Sequence, residues 1–211
     1  MADEAYSDGT WIYCTGSLIS PTVVLTVAHC GEGGNGRVRV TFSSAYHPGD
    51  TTYAGTFHAD PAYRSAQSDP HDIAVVVLDR AVTTITPVRL PAAGSLGRLP
   101  SGTAVTGVGY GAYAVTQGPG GHSFAYDDVR MAADGTLNAV TPSWLRISEN
   151  PTKGDGGGCY GDSGGPNFLA GTTTEAAITI TDDASCRSTN VAYRLDTPSA
   201  RGFLRSYVTL P

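Results

Sequence analysis

The sequence predicts an all-β protein, and three observations carry that expectation. Glycine and proline are abundant, 27 and 13 in 211 residues, and both punctuate turns and interrupt helix interiors. Apolar residues fall in short valine-rich runs, of which Ile73-Ala74-Val75-Val76-Val77-Leu78 is the plainest, too short for a helix and suited to a buried strand. Apolar content is 40% against 15% charged, enough for a sizeable core in one or two small domains.

Taken in order, Trp11-Ile12-Tyr13 reads as an edge strand, and Leu18-Ile19 and Val23-Val24-Leu25-Thr26-Val27 as buried strands separated by Ser20-Pro21. Residues 31–36 hold four glycines and read as a loop. Residues 38–42 alternate polar with apolar, the period of a half-exposed strand, and a further strand is expected over residues 53–58. Residues 59–71, with two prolines, read as a surface loop that delivers Asp72. Residues 87–100 contain three prolines and read as a crossover between two halves of the chain. The second half begins with a strand over residues 103–108, followed by an exposed loop or hairpin over 111–128 and a strand over 145–148. Asn150-Pro151 then opens a glycine-rich approach to Cys159, and residues 176–181 form another strand. Thr197-Pro198 starts a helix, with threonine as N-cap and proline in the first turn; Phe203, Leu204, Tyr207 and Val208 share one face of it. No internal repeat is visible.

The bulk properties exclude some functions. Thirteen basic against 19 acidic residues give a net charge of −6 without a basic cluster, the wrong sign for binding phosphates; nucleic acid is not an expected partner. No apolar run approaches the ~18–20 residues of a membrane span, so no membrane association is expected. The four cysteines permit three pairings. They lack the CxxC and HxxxH spacings of a zinc site, and no metal or cofactor is expected. Asp127-Asp128 and Asp182-Asp183 lack the regular oxygen-ligand spacing of a calcium loop and read as solvated turns; His47, His58, His71 and His122 read as surface histidines.

Three stretches carry chemistry together. Gly161-Asp162-Ser163-Gly164-Gly165-Pro166 places a serine between glycines that tolerate positive φ and leave N–H groups unobstructed. Gly161 and Ser163 can thus aim two donors at the oxygen that turns negative in a tetrahedral intermediate. A serine hydroxyl needs a base, and the base needs an orienting carboxylate. Thr26-Val27-Ala28-His29-Cys30 supplies the first and His71-Asp72-Ile73-Ala74 the second. The chain order His29, Asp72, Ser163 is that of chymotrypsin-type enzymes. An α/β-hydrolase reading of Gly161-Asp162-Ser163-Gly164-Gly165 fails, because its histidine should follow the serine and none occurs after His122.

On these segments, with Cys14-Thr15-Gly16-Ser17-Leu18-Ile19, Cys159 to Pro166, Gly107-Val108-Gly109-Tyr110-Gly111 and Ala192-Tyr193-Arg194-Leu195-Asp196, the sequence resembles the chymotrypsin-fold (trypsin-like) serine proteases, in particular a bacterial secreted branch. The resemblance implies two six-stranded antiparallel β-barrels with a C-terminal helix. Residues 1–90 would carry His29 and Asp72, and residues 91–211 would carry Ser163. It also implies disulfides Cys14–Cys30 and Cys159–Cys186, hence secretion; the opening Met1-Ala2-Asp3-Glu4, without an apolar leader, then fits a mature form. A polypeptide substrate, protein protease inhibitors as further partners, and a monomer are implied with it.

The specificity pocket carried over from the resemblance comprises Gly157, Gly158, Tyr160, Ile180, Thr181, Asp182 and Val191. Gly157 stands at the floor, where an aspartate would select lysine or arginine, so an uncharged, small or apolar substrate side chain is expected. Ile180-Thr181-Asp182 departs from the family's Ser-Trp-Gly wall; a side chain in place of the glycine would narrow the pocket mouth, and a negative charge from Asp182 would recover some preference for basic side chains. No Ile-Val-Gly-Gly-like activation sequence precedes His29, so Asp162 needs another partner, with an arginine expected. These departures keep open a second reading, a catalytically weak or inactive homologue acting as a binding protein.

Overall fold

The computed structural model describes residues 14–31 and 35–211. The edge strand expected at Trp11-Ile12-Tyr13 lies outside them. The first half holds five strands, β1 (Ser17–Ser20), β2 (Val23–Thr26), β3 (Asn35–Thr41), β4 (Thr52–Ala59) and β5 (Ala74–Leu78). They form an antiparallel sheet in the order β1-β2-β5-β4-β3. Strand β3 begins at Asn35, inside the stretch read as a glycine loop, because residues 35–41 pair with 52–58 of β4.

The second half runs through β6 (Ala104–Gly109), β7 (Ala114–Gly118), β8 (Gly121–Ala125), β9 (Met131–Val140), β10 (Trp144–Ser148), β11 (Pro166–Leu169), β12 (Glu175–Asp182) and β13 (Thr189–Arg194). Six of these close a barrel in the order β10-β13-β12-β11-β6-β9, while β7 and β8 form a separate hairpin. Helix α1 (Pro198–Leu204) follows, with the Thr197 hydroxyl accepting the Ala200 N–H as expected of its cap. The architecture is the chymotrypsin-like pair of β units with a C-terminal helix, the first showing five strands among the described residues.

The valine-rich runs have a specific cause. Side chains alternate across a strand, and both faces of β2 and β5 are covered. Val24, Ala74, Val76 and Leu78 point with Phe57 into the first sheet's own core. Their neighbours Val23, Leu25, Ile73 and Val75 point the other way, into a core shared with Ile178, Tyr193 and Leu195 of the barrel and Ala200 and Leu204 of α1. A third cluster, with Val105, Leu137, Leu145 and Ile147, fills the barrel. Each fully buried Leu or Val contributes roughly 1.5–3 kcal/mol, so the shared core binds the two halves to each other. A cavity of about 860 Å³ is lined by Leu18, Val38, Val40 and Phe57 of the first half and by Tyr110 and Phe168 of the second, among others.

Two strands leave little trace in the sequence. Strand β9 reads Met-Ala-Ala-Asp-Gly-Thr-Leu-Asn-Ala-Val and buries only Gly135 and Leu137; its alternation is too weak to see. Strand β11 begins at Pro166, the last residue of the serine motif, because the chain straightens there to pair with β6 and β12.

Candidate active site

His29 sits in a 3-10 turn, Ala28–Gly31, directly after β2. Asp72 lies at the entry to β5 and grips this turn at two points. Its Oδ2 accepts from the ring Nδ1–H of His29 at 2.8 Å, and its Oδ1 accepts the His29 backbone N–H at 3.0 Å. The carboxylate is buried while the imidazole stays partly open.

The loop that delivers Asp72 is itself held. His71 has φ +53°, a bend that turns the chain into β5. Its ring Nδ1 meets Asp60 Oδ2 at hydrogen-bond distance, 3.1 Å, so it is a structural partner within the loop rather than a free surface histidine. Asp69 accepts 2.6 Å hydrogen bonds from the Tyr193 hydroxyl of β13 and from the Ser199 hydroxyl of α1. Burial opposes the Asp69 charge, but those hydroxyls and the His71 N–H overcome it and hold the carboxyl below its ordinary range. The second half thereby braces the loop that carries Asp72.

Ser163 is placed by backbone geometry. Gly161 has φ +100° and Gly164 φ +82°, left-handed values that favour glycine. A Cβ on Gly164 would stand 2.2 Å from Thr26 Oγ1 and 2.4 Å from the Thr15 carbonyl oxygen, so the turn packs backbone against the first half. There the Thr15 N–H donates to the Ser163 carbonyl at 2.9 Å, the Thr15 hydroxyl donates to the Gly161 carbonyl at 3.0 Å, and the Cys30 sulfur lies 4.0 Å from the Ser163 carbonyl oxygen. The structure thus joins Asp72 to His29 and seats Ser163 beside Cys30, the residue after His29. Among the described residues no hydrogen bond links the Ser163 hydroxyl to the His29 ring, and the N–H groups of Gly161 and Ser163 donate to no protein acceptor.

Asp162 takes no arginine, contrary to expectation. Its Oδ1 accepts the Gly111 N–H and its Oδ2 the Cys159 N–H, both at 2.8 Å. Burial raises its pKa, and these amides and the Tyr110 N–H counter the rise. Gly109 and Gly111 make the space: a Cβ on either would lie 1.7 Å and 2.5 Å from the Asp162 oxygens. Both disulfides, Cys14–Cys30 and Cys159–Cys186, are formed.

The pocket residues separate. Ile180 turns into the shared core, Tyr160 is half-exposed and packs edge-on against Phe124 at 4.6 Å, and Thr181 pairs with Val191 across β12 and β13. Gly157, Gly158 and Asp182 converge. The place of a Gly157 side chain is not vacant: its Cβ would lie 2.0 Å from Glu149 Oε1. The floor read as uncharged therefore abuts a carboxyl. Glu149 follows β10 and is 1% exposed, and only the contact across Gly157, 8 residues along, reveals it. Asn190 was likewise invisible to sequence reasoning; it lies opposite Asp182 in the β12–β13 register.

The family model described as Trypsin matches residues 4–201. No curated protein matches the sequence. Among solved structures, HL collagenase is similar with a TM-score of 0.73 at 19% identity, over 96% of this chain and 89% of that one. Human heparin binding protein is similar with a TM-score of 0.68 at 16% identity, over 93% and 85%.

Proposed function

Because the chain belongs to the trypsin family, we propose that it is an active serine endopeptidase that cleaves polypeptides through an acyl-enzyme. Ser163 attacks the scissile carbonyl while His29 takes its proton through Nε2, and His29 later returns that proton to the leaving amine. Asp72 keeps the proton on Nδ1 and stabilises the imidazolium. The N–H groups of Gly161 and Ser163 receive the oxyanion. Residues 1–90 and 91–211 divide the work, the first carrying base and orienter, the second carrying nucleophile and oxyanion donors. The two disulfides favour secretion, and a monomer suffices, since one chain carries every proposed group.

The observation that carries the reading is the two-point grip of Asp72 on His29, through both carboxylate oxygens at 2.8 and 3.0 Å. A carboxylate used only for packing has no need to fix an imidazole tautomer. A binding role is the second reading, and one similar structure is a heparin binding protein. The net charge of −6 is the wrong sign for a polyanion, so that ligand does not carry over.

Covalent labelling with a fluorophosphonate probe tests the proposal. Stoichiometric labelling is expected, lost in Ser163→Ala and strongly slowed in His29→Ala. Folded wild-type protein that does not label would overturn it in favour of the binding reading.

A further inference from the structure

The loop between β4 and β5 carries Asp72 and has little packing of its own, since residues 64–68 are exposed. Its last residues are nevertheless closely fixed. The buried Pro70 sets one φ, and its carbonyl accepts the Arg64 N–H at 2.9 Å. His71 adopts φ +53°, a left-handed conformation that few residues other than glycine take. The Ile73 N–H donates to the His71 carbonyl at 2.8 Å, so Asp72 stands at the centre of a tight turn. Such a backbone persists only where its surroundings over-determine it.

Two side chains hold it. On one side the His71 ring Nδ1 meets Asp60, the residue after β4. On the other, among the described residues, both hydrogen bonds that reach the loop from the second half end on Asp69. The Tyr193 hydroxyl donates to its Oδ1 and the Ser199 hydroxyl to its Oδ2, each at 2.6 Å. These donors are themselves placed. Tyr193 is fully buried in the shared core, and Trp144 meets its ring edge-on with centroids 5.6 Å apart. Ser199 stands in the first turn of α1, 3.2 Å from the Tyr193 hydroxyl and 3.2 Å from that of the cap, Thr197. Asp69 is the loop's member of this network, and hydrogen bonds to a charged acceptor are about twice as strong as neutral ones.

We propose that Asp69 is a positioning residue for the triad. Clamped by the Tyr193 and Ser199 hydroxyls, it keeps His71 left-handed and so aims the Asp72 carboxylate at His29. The geometry of His29 is thereby tied to the docking of the C-terminal helix. The two contacts of Asp72, at 2.8 and 3.0 Å, leave little tolerance, because a rotation that keeps one lengthens the other. A misplacement of about 1 Å caused away from the chemistry can cost on the order of 100-fold in rate. Asp69 touches no reacting atom and acts through Asp72. The assignment rests on the endopeptidase reading for the reaction it serves, but the aim of Asp72 belongs to the folded protein and is measurable without turnover.

Two readouts keep the positioning role and the reaction apart. Proton NMR of protein with nitrogen-labelled histidine reports the His29 Nδ1–H, assigned by its loss in His29→Ala; hydrogen-bonded to Asp72, it resonates at low field. The signal should be present in the wild type and lost or moved upfield in Asp69→Ala. Tyr193→Phe combined with Ser199→Ala removes both donors without touching the loop and should do the same. Near-ultraviolet circular dichroism checks that each variant is folded. In both variants kcat on a peptide substrate should fall on the order of 10–100-fold with KM little changed, the pattern of an interaction that matters in the transition state alone. Fluorophosphonate labelling should slow in step. In an Asp72→Ala background, Asp69→Ala should slow labelling by no more than about twofold, since coupled residues do not add and nothing remains to be aimed. A general loosening of the fold would slow both backgrounds equally, and that result overturns the assignment. An unmoved Nδ1 proton or an unchanged kcat in folded Asp69→Ala overturns it as well. If the proton responds to Asp69→Ala while the wild type fails to label, the positioning role stands and the endopeptidase reading falls.

Discussion

Gly109→Ala is the sharpest test of how Asp162 is held. Gly109 ends β6 without a positive φ, so alanine is allowed by the backbone there. In open space the change would stabilise by ~0.4–1 kcal/mol through the unfolded chain. Here the new Cβ would stand 1.7 Å from Asp162 Oδ1 and 2.6 Å from its Cγ. The carboxylate must leave its seat, and Oδ1 is the atom that accepts the Gly111 N–H. Overpacking costs about 1–3 kcal/mol, and the lost bond to a buried charge about 1.5–3 kcal/mol more; a net loss of roughly 2–5 kcal/mol follows. Gly107→Ala is the control, on the same strand and with its nearest neighbour 3.6 Å away; it should change stability by less than ~1 kcal/mol. Urea denaturation with the disulfides intact measures both. Fluorophosphonate labelling should slow in Gly109→Ala alone, because the displaced side chain belongs to the residue before Ser163. In Gly109→Ala combined with Asp162→Ala the two losses should fall short of adding by more than ~1 kcal/mol, as residues in direct contact do. Equal stability and labelling of Gly109→Ala and Gly107→Ala would falsify the account of this pocket.

Asp72→Asn should lower kcat on the order of 10⁴-fold, since an amide opposite Nδ1 favours the wrong tautomer, and steady-state kinetics on a peptide substrate measures it. Glu175, fully buried with one oxygen accepting from the Ser17 hydroxyl at 2.5 Å, has its pKa pushed up to about 8 by burial. The folded state therefore holds a proton that the unfolded chain releases above about pH 4.3. Stability from this group is full below that value and is lost as pH rises towards 8. Glu175→Gln should flatten that part of the stability–pH curve and be more stable than wild type at about pH 8; a parallel curve would show that Glu175 is ionised in the folded protein.

The proposed catalytic groups were legible in the sequence because each sits in a short local motif whose chemistry depends on near neighbours. Gly161 and Gly164 announce left-handed turns, and His29 and Asp72 each flank an apolar strand whose two faces are both covered. The helix was legible for the same reason: Thr197 and Pro198 act within one turn. Strand β9 was not, since Asp134, Gly135 and Asn138 hide its alternation and its pairing with β6 and β10 supplies what propensity lacks.

By itself, the sequence determined the β class, the helix cap and the His29, Asp72 and Ser163 motifs, all of which depend on residues a few positions apart. Tertiary structure decided what fills the spaces between such motifs. Asp162 takes the backbone amides of Gly111 and Cys159 rather than an arginine, Asp69 ties the Asp72 loop to Tyr193 and Ser199, and the Glu149 carboxyl lies where a Gly157 side chain would be. The physical reason is common to all three. A missing Cβ is visible in a sequence, but which atom occupies its place depends on strands brought together from distant parts of the chain.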